Sequence, residues 1–302
     1  MSELPGLFAN NLLPILLASA AGYPLGKWLK VNPRSFSQII LYVFTPCLVF
    51  IQLIDAHLES GEILRMVAFA LLTTILIGLI SLVSGIALKL EKQLIIALLI
   101  TGMFTNCGNF GLPLVQFAFG DDALAHATLF FITNLVMVNT VGVVIASMGA
   151  ATLKDSLLGL LKLPLTYALV LAILFIQMGW QIPFPVDRTL RLLSQAAIPC
   201  MMILMGIQLQ GAVWNGNLRA LAAANVVRLL VAPILAIGLS LLVGLQGPAR
   251  QAGVVESSMP SAILATVLAT EYNAAPEFVT TAVFISTLLS PLTLTPLLAY
   301  LK

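Results

Sequence analysis

Residues 105–113 read TNCGNFGLP and residues 256–261 read ESSMPS. Both stretches set helix-breaking residues inside long apolar runs. Pro113 and Pro260 lack an N–H and clash with the preceding turn, while Gly108 and Gly111 permit backbone angles closed to other residues. A broken turn leaves N–H and C=O groups unpaired, which hydrocarbon tolerates only where they are buried in protein or face a wet cavity. Each stretch therefore marks a candidate site. Asn106 offers two donors and an acceptor, so it can hold a carboxylate without bringing a charge into the membrane. Asn109, three residues on, can face the same cavity across an irregular turn. Gly108, Pro113, Ser258, Pro260 and Ser261 complete the candidate substrate-binding set.

If the two interrupted helices meet, their half-helix N-termini offer N–H donors and a partial positive charge, which suits an anion. The freed carbonyls and C-terminal half-helix ends attract a cation instead. Glu256 stands at the approach to the second break, where an unpaired charge costs roughly 2.5–3.5 kcal/mol on insertion scales. Glu256, Ser257, Asn109 and Thr133 carry oxygens of the kind a hard cation takes. A sodium ion at Glu256 and Asn109 is one expectation, titration of Glu256 by a coupling proton a second, and local pairing of the acid a third. Arg228 has three outlets: pairing with Glu256, neutralising a bound anion, or donating to carbonyls freed by Pro233. Its planar fork suits a carboxylate. Thr128, Thr133, Asn134 and Asn139 give one span a polar face, Tyr42 and Phe44 read as core-packing residues with a cavity wall as the alternative, and Gly102, Gly142 and Gly206 are expected close-packing points.

The elements around these residues follow from composition. Of 302 residues, 60% are hydrophobic and 9% charged, with a mean hydropathy of +1.06, against about 25% charged in a soluble domain. The chain reads as an all-α polytopic membrane protein. Spanning helices need about 20 apolar residues, and ten runs qualify: 7–27, 35–55, 63–88, 93–118, 124–149, 157–178, 188–210, 218–243, 250–271 and 277–300. The first run reads as a retained helix, because no basic leader precedes it and Asn10, Asn11 and Pro14 interrupt it. Cys47, Cys107 and Cys200 fall inside spans and suggest neither disulfides nor zinc. No HExxH, GxSxG or paired intramembrane aspartate is present, and His57 and His126 lie apart near helix ends, so an enzyme is not expected. A net charge of +2 without a basic run argues against a nucleic-acid partner.

Lys and Arg cluster in the connections after the first, third, fifth and seventh runs, among them Lys27, Lys30, Arg34, Lys89 and Arg219, which places these connections in the cytoplasm and both termini outside it. Glu3, Asp55, Asp121, Asp122, Asp187, Glu271 and Glu277 are expected on the opposite side. The Pro46–Cys47 pair recurs as Pro199–Cys200, and Pro113 recurs as Pro260 at a similar offset. Ten runs thus divide into two five-helix repeats, 1–152 and 153–302. An odd number of spans per repeat inverts the second, the plan of many secondary transporters, with the substrate site where broken helices of the two halves meet.

The stretch NCGNFGLP at 106–113 resembles the fourth-helix crossover of the auxin efflux carrier family, which includes plant PIN-type carriers and bacterial malonate-permease-like transporters. LATEYNAAPEFVTTAVFISTLLSPLTL at 268–294, with Glu271, Tyr272 and Asn273, resembles that family's ninth and tenth helices, and NVVRLLVAP at 225–233 resembles its eighth. The resemblance implies a 5+5 inverted-repeat fold with helices 4 and 9 broken and crossing. It implies a scaffold of helices 1, 2, 6 and 7, through which a homodimer could form, and a mobile unit of helices 3–5 and 8–10. It further implies elevator-type transport of a small organic anion across a plasma (inner) membrane, with substrate at Asn106 and crossover prolines at Pro113 and Pro260. The long central hydrophilic loop of many plant members is absent. ESSMPS also resembles the crossover of the sodium-coupled bile acid transporters, in which the acid contacts sodium. That resemblance implies the alternative of a sodium cotransporter for a larger amphipathic anion. Beyond a coupling Na+ or H+, no cofactor is expected.

Overall fold

The computed structural model describes residues 4–56, 58–148, 152–208 and 217–302. Glu3 and His57 lie outside the described residues, as do the expected ends of the fifth and seventh runs at 149 and 210. The described chain is helical throughout, apart from short connections and an isolated antiparallel bridge between Thr105 and Ser261. Among the described residues, seven helices are long and apolar enough to cross a membrane: α1 (Leu4–Lys27), α2 (Pro33–Asp55), α3 (Ser60–Ala87), α6 (Asp121–Ala146), α9 (Phe184–Gln208), α10 (Leu218–Leu242) and α13 (Pro276–Leu301). The other three expected spans are shorter or divided. The fourth run is split into α4 (Lys92–Met103) and α5 (Leu112–Phe119), joined through an irregular stretch and a π-turn at Cys107–Gly111. The sixth run holds α7 (Leu153–Leu160) and the 15-residue α8 (Pro164–Met178). The ninth is split into α11 (Gly247–Ser257) and α12 (Ile263–Glu271).

Four π-turns share a sequence cause. Phe8–Leu12 ends two residues before Pro14, Ile40–Phe44 before Pro46, Cys107–Gly111 before Pro113, and Val227–Val231 before Pro233. A proline cannot donate to the carbonyl four residues back and its ring pushes that carbonyl aside, so the preceding turn widens. In the first of these turns Asn11 Nδ2 donates to the Leu7 carbonyl at 2.8 Å. The fifth, Val138–Gly142, has no following proline and ends on Gly142, where an added Cβ would meet the Phe104 ring at 2.9 Å.

The helices pack in two groups. In one, α1 lies against α9 at near-backbone distance: a Cβ on Gly206 would strike the Ser19 carbonyl, one on Gly22 would strike the Ile203 carbonyl, and Ser19 Oγ donates to the Met202 carbonyl at 3.0 Å. Without a hydrophobic driving force between helices in lipid, small residues of this kind allow the contact that holds them. Helix α8 packs on α2, with Phe50 and Phe175 edge to face at 5.5 Å, and Arg191, held by Asp187 of its own helix at 2.9 Å, ties α9 to α2 by reaching Asp55 at 2.5 Å. In the other group α3 packs on α4 and α6, with Ser81 filling the space above Gly102, and α6 packs on α11.

Candidate functional site

The two breaks lie side by side and antiparallel. Asn106 donates its backbone N–H to the Pro260 carbonyl at 2.8 Å, and Ala262 donates to the Phe104 carbonyl at 2.8 Å. The irregular backbone that hydrocarbon would not tolerate is satisfied by the partner break. This differs from the expectation that the amides at both breaks stay free for a ligand, since two of them are consumed in the pairing. Those of Cys107, Gly108 and Asn109, at the start of the π-turn, have no preceding helical turn to bond to.

A cavity of about 1330 Å³ leads to the first break. Its inner end is formed by Thr105, Asn106, Cys107, Gly108, Asn109 and Asn134, and its walls by Phe131, Leu135, Met201, Leu204, Ile207 and Ala262. Asn106 is 5% exposed. Its Nδ2 meets the Met205 thioether at 3.9 Å, a weak contact that leaves the amide able to serve a ligand. Asn134 donates to the Thr105 carbonyl at 3.3 Å and to Cys107 Sγ at 3.0 Å, while its Oδ1 and the Thr105 hydroxyl are buried without a partner.

Among the expected substrate residues, Asn106, Gly108 and Asn109 line this cavity. Pro113, Ser258, Pro260 and Ser261 are buried behind the lining. Pro260 supplies the carbonyl that holds Asn106, Ser258 Oγ donates to Val254 O at 2.6 Å, and Ser261 Oγ donates to Thr101 O at 2.8 Å. Of the four groups expected to share a sodium ion, three are buried. Asn109 faces the cavity, Glu256 and Ser257 are sealed outside it, and Thr133 Oγ1 donates to Leu129 O at 2.8 Å. No group of three or more His, Cys, Asp or Glu side chains converges among the described residues. Glu256 is 0% exposed, with both carboxyl oxygens lacking a partner, and packs where a side chain on Gly111 would otherwise sit. Arg228, also 0% exposed, donates through Nη1 to the Gly102 carbonyl at 2.7 Å and through Nη2 to the Ser257 carbonyl.

Lys30, Asn32 and Arg34 line the mouth of the cavity, and so do Thr270 and Glu271. Glu271 terminates α12, which packs on α4 and on the last turn of α6. Beside it the Tyr272 phenol is pushed above its ordinary value, first by burial and then by the Glu271 charge. Tyr42 lines the cavity, where core packing is the expectation, whereas Phe44 packs against the core. Sequence reasoning passed over Thr105, Asn134 and Gln208 as site residues. Thr105 stood in the first quoted stretch, and Asn134 was visible as part of a polar helix face, but neither pattern says which polar group turns toward a cavity.

Residues 7–298 match the family described as "Membrane transport protein", the auxin efflux carrier family. The chain is 26% identical over 286 residues to an "uncharacterized transporter" of Methanothermobacter thermautotrophicus, covering 93% of this chain and 94% of that protein. It is 25% identical over 296 residues to another of Methanocaldococcus jannaschii, covering 92% and 94%. It is also 30% identical over 133 residues to auxin efflux carrier component 6 of Arabidopsis thaliana, covering 42% of this chain and 23% of that one. Broken helices paired at the end of a cavity, within a multi-pass helical chain matched almost from end to end, make this protein a membrane transporter of the auxin efflux carrier family.

Proposed function

We propose that the chain is a secondary carrier of a small organic anion, whose carboxylate binds at Asn106 with the π-turn amides while its apolar body rests on Phe131, Leu135 and Leu204. The observation that carries this reading is the antiparallel pairing of the two breaks beside the cavity, with Asn106 among its lining residues. A neutral amide and a helix start bind an anion without a lipid-buried cation to release it from, which suits a site that must load and unload.

The seven long helices, α8 and the two divided segments together make ten crossings, read as two inverted repeats, 1–152 and 153–302. In this reading α1, α2, α8 and α9 form the scaffold and the helices holding the breaks form the moving unit. The cavity runs between the two groups, so a sliding displacement of one past the other would carry the site across the membrane. Transport is then of the elevator type, at the plasma (inner) membrane. The test is counterflow in proteoliposomes. Unlabelled carboxylate trapped inside should accelerate uptake of the labelled compound, and uptake that merely follows the gradient, with no acceleration, would rule out a carrier.

A further inference from the structure

The cavity that reaches Asn106 is larger than a small anion needs. Pockets for small molecules run to about 300–1,000 Å³, whereas this one encloses about 1330 Å³. Its lining is also amphipathic. Among the described residues, Lys30, Arg34 and Glu271 are the charged groups of that lining, so two cations against one acid leave a single positive charge. Apolar residues of the same lining are uncovered: Tyr42 is 49% and Val267 52% exposed, and Leu264 is exposed as well. An apolar wall of this kind marks a contact surface, because water against it is unfavourable.

Helix periodicity joins the charged and the apolar parts. Arg34, Gln38 and Tyr42 follow at four-residue steps along the start of α2, and all three line the cavity. At 1.5 Å per residue, Tyr42 lies about 12 Å along the helix axis from Arg34. On the facing wall Leu264, Val267 and Glu271 are three and four residues apart on α12, which starts at the break beside Ala262 and runs away from it. The start of α2 is backed by α9, and α12 is backed by α4 and α13. Depth is set by the connection before α2, where Trp28 and Leu29 are exposed and Lys27 lies over the Tyr23 ring at 5.5 Å. Exposed aromatic and basic residues at the end of a spanning helix sit at the level of the lipid headgroups. Lys30 and Arg34, next along the chain, are thereby held at the depth of lipid phosphates.

We propose that this outer part of the cavity is a binding site for an anionic phospholipid, with its phosphate at Lys30 and Arg34 and an acyl chain along Tyr42, Leu264 and Val267. A phosphodiester supplies the one negative charge that the lining lacks, and the chain covers the apolar wall. The bound lipid cancels the positive charge that would attract an entering anion, so anionic lipid slows loading. That consequence rests on the carrier reading, whereas lipid binding does not.

The experiment titrates the purified full-length chain, in neutral detergent at low salt, with dioleoylphosphatidylglycerol, dioleoylphosphatidylcholine or inorganic phosphate, and reads binding from the saturable rise in melting temperature. The parent is expected to prefer the anionic lipid by about fivefold or more, and inorganic phosphate should not reproduce the rise. Lys30→Gln with Arg34→Gln should remove the preference and leave the two lipids equal. Lys89→Gln with Lys92→Gln, at exposed positions outside the cavity lining, should retain it. Leu264→Asn with Val267→Asn should weaken binding of the anionic lipid by about tenfold. Both wall residues are exposed, so folding should survive the exchange, and if it does not, Tyr42→Ser makes the same comparison on the facing wall. Equal binding of the two lipids by the parent overturns the proposal. So does an equal loss in the Lys89 and Lys92 variant, which would mean general attraction to a charged surface, or a full rise with inorganic phosphate, which would mean a site for a free anion. Unchanged affinity after the wall substitutions overturns it as well. No carboxylate enters these titrations, so failure of transport would remove the carrier reading and leave lipid binding decided.

Discussion

Glu256 and Gly111 occupy complementary halves of one buried space: a Cβ placed on Gly111 would lie 2.6 Å from Glu256 Cδ and closer still to Oε2. The carboxyl of α11 thus packs against the backbone of the π-turn that follows the first break. The neighbouring bonds Asn106 N–H to Pro260 O and Ala262 N–H to Phe104 O, both at 2.8 Å, join the same two segments. The breaks are therefore held by main-chain pairing on one side and by this close contact on the other. Gly111→Ala should overpack it and destabilise the protein by about 1–3 kcal/mol. In a Glu256→Ala background the same substitution should cost much less, because residues in contact couple. Equal losses of melting temperature in both backgrounds would show that the carboxyl is not what the methyl meets.

Asn106→Ala tests the ligand end. The side chain's weak contact with Met205 contributes little to stability, so melting should hold near the parent value. Removing a hydrogen bond to a charged ligand costs about 1.5–3 kcal/mol, so affinity for a carboxylate should fall by roughly 10- to 100-fold at about 1.4 kcal/mol per decade. Titration calorimetry with the carboxylate that most raises the parent's melting temperature measures this. Unchanged affinity would take Asn106 out of the site.

Asn134→Leu addresses a residue that sequence reading left among generic polar positions. Its amide bonds Thr105 O and Cys107 Sγ on either side of Asn106, so it fixes the backbone that presents the ligand-facing amide. The substitution should lower carboxylate affinity and also lower the melting temperature, unlike Asn106→Ala. A fall in affinity with no change in melting would place Asn134 in direct contact with the ligand.

The two breaks and the membrane class were legible because proline and glycine inside apolar runs have few tolerable environments, and because 60% hydrophobic residues leave no soluble alternative. The partnership of the breaks was legible only as symmetry, through Pro113 and Pro260. What the one-dimensional pattern did not contain was direction. Asn109 and Gly111 lie two residues apart, yet one faces the cavity and the other faces Glu256, and a π-turn shifts the angular positions on which a helical reading relies.

Gly206→Ala and Gly22→Ala should both be poorly tolerated, since the new methyl meets backbone, which cannot rotate away as a side chain can. Each should separate α1 from α9 and lower melting markedly. Gly238→Ala supplies the contrast. Nothing lies within 4 Å of its Cβ position in α10, so the helix-favouring exchange should be neutral or stabilise by up to about 1 kcal/mol. Melting curves of the three variants in one detergent decide, and three equal shifts would contradict the packing described.

Lys30, Arg34 and Glu271 all line the cavity, and the balance of these charges should govern how fast an anion enters. Charges at the rim of a low-dielectric cleft raise the local concentration of an oppositely charged ligand, by about tenfold or more at low ionic strength. The effect fades once the Debye length shrinks to about 3 Å near 1 M salt. Lys30→Glu with Arg34→Glu should therefore slow initial anion uptake by roughly tenfold at low salt and far less at high salt. Glu271→Gln should accelerate it modestly under the same low-salt conditions. Neither variant touches Asn106, so equilibrium affinity at high salt should stay at the parent value. If the charge-reversed protein instead showed the same deficit at every salt concentration, its defect would lie in the shape of the 30–34 connection, and long-range attraction would play no part in loading the cavity.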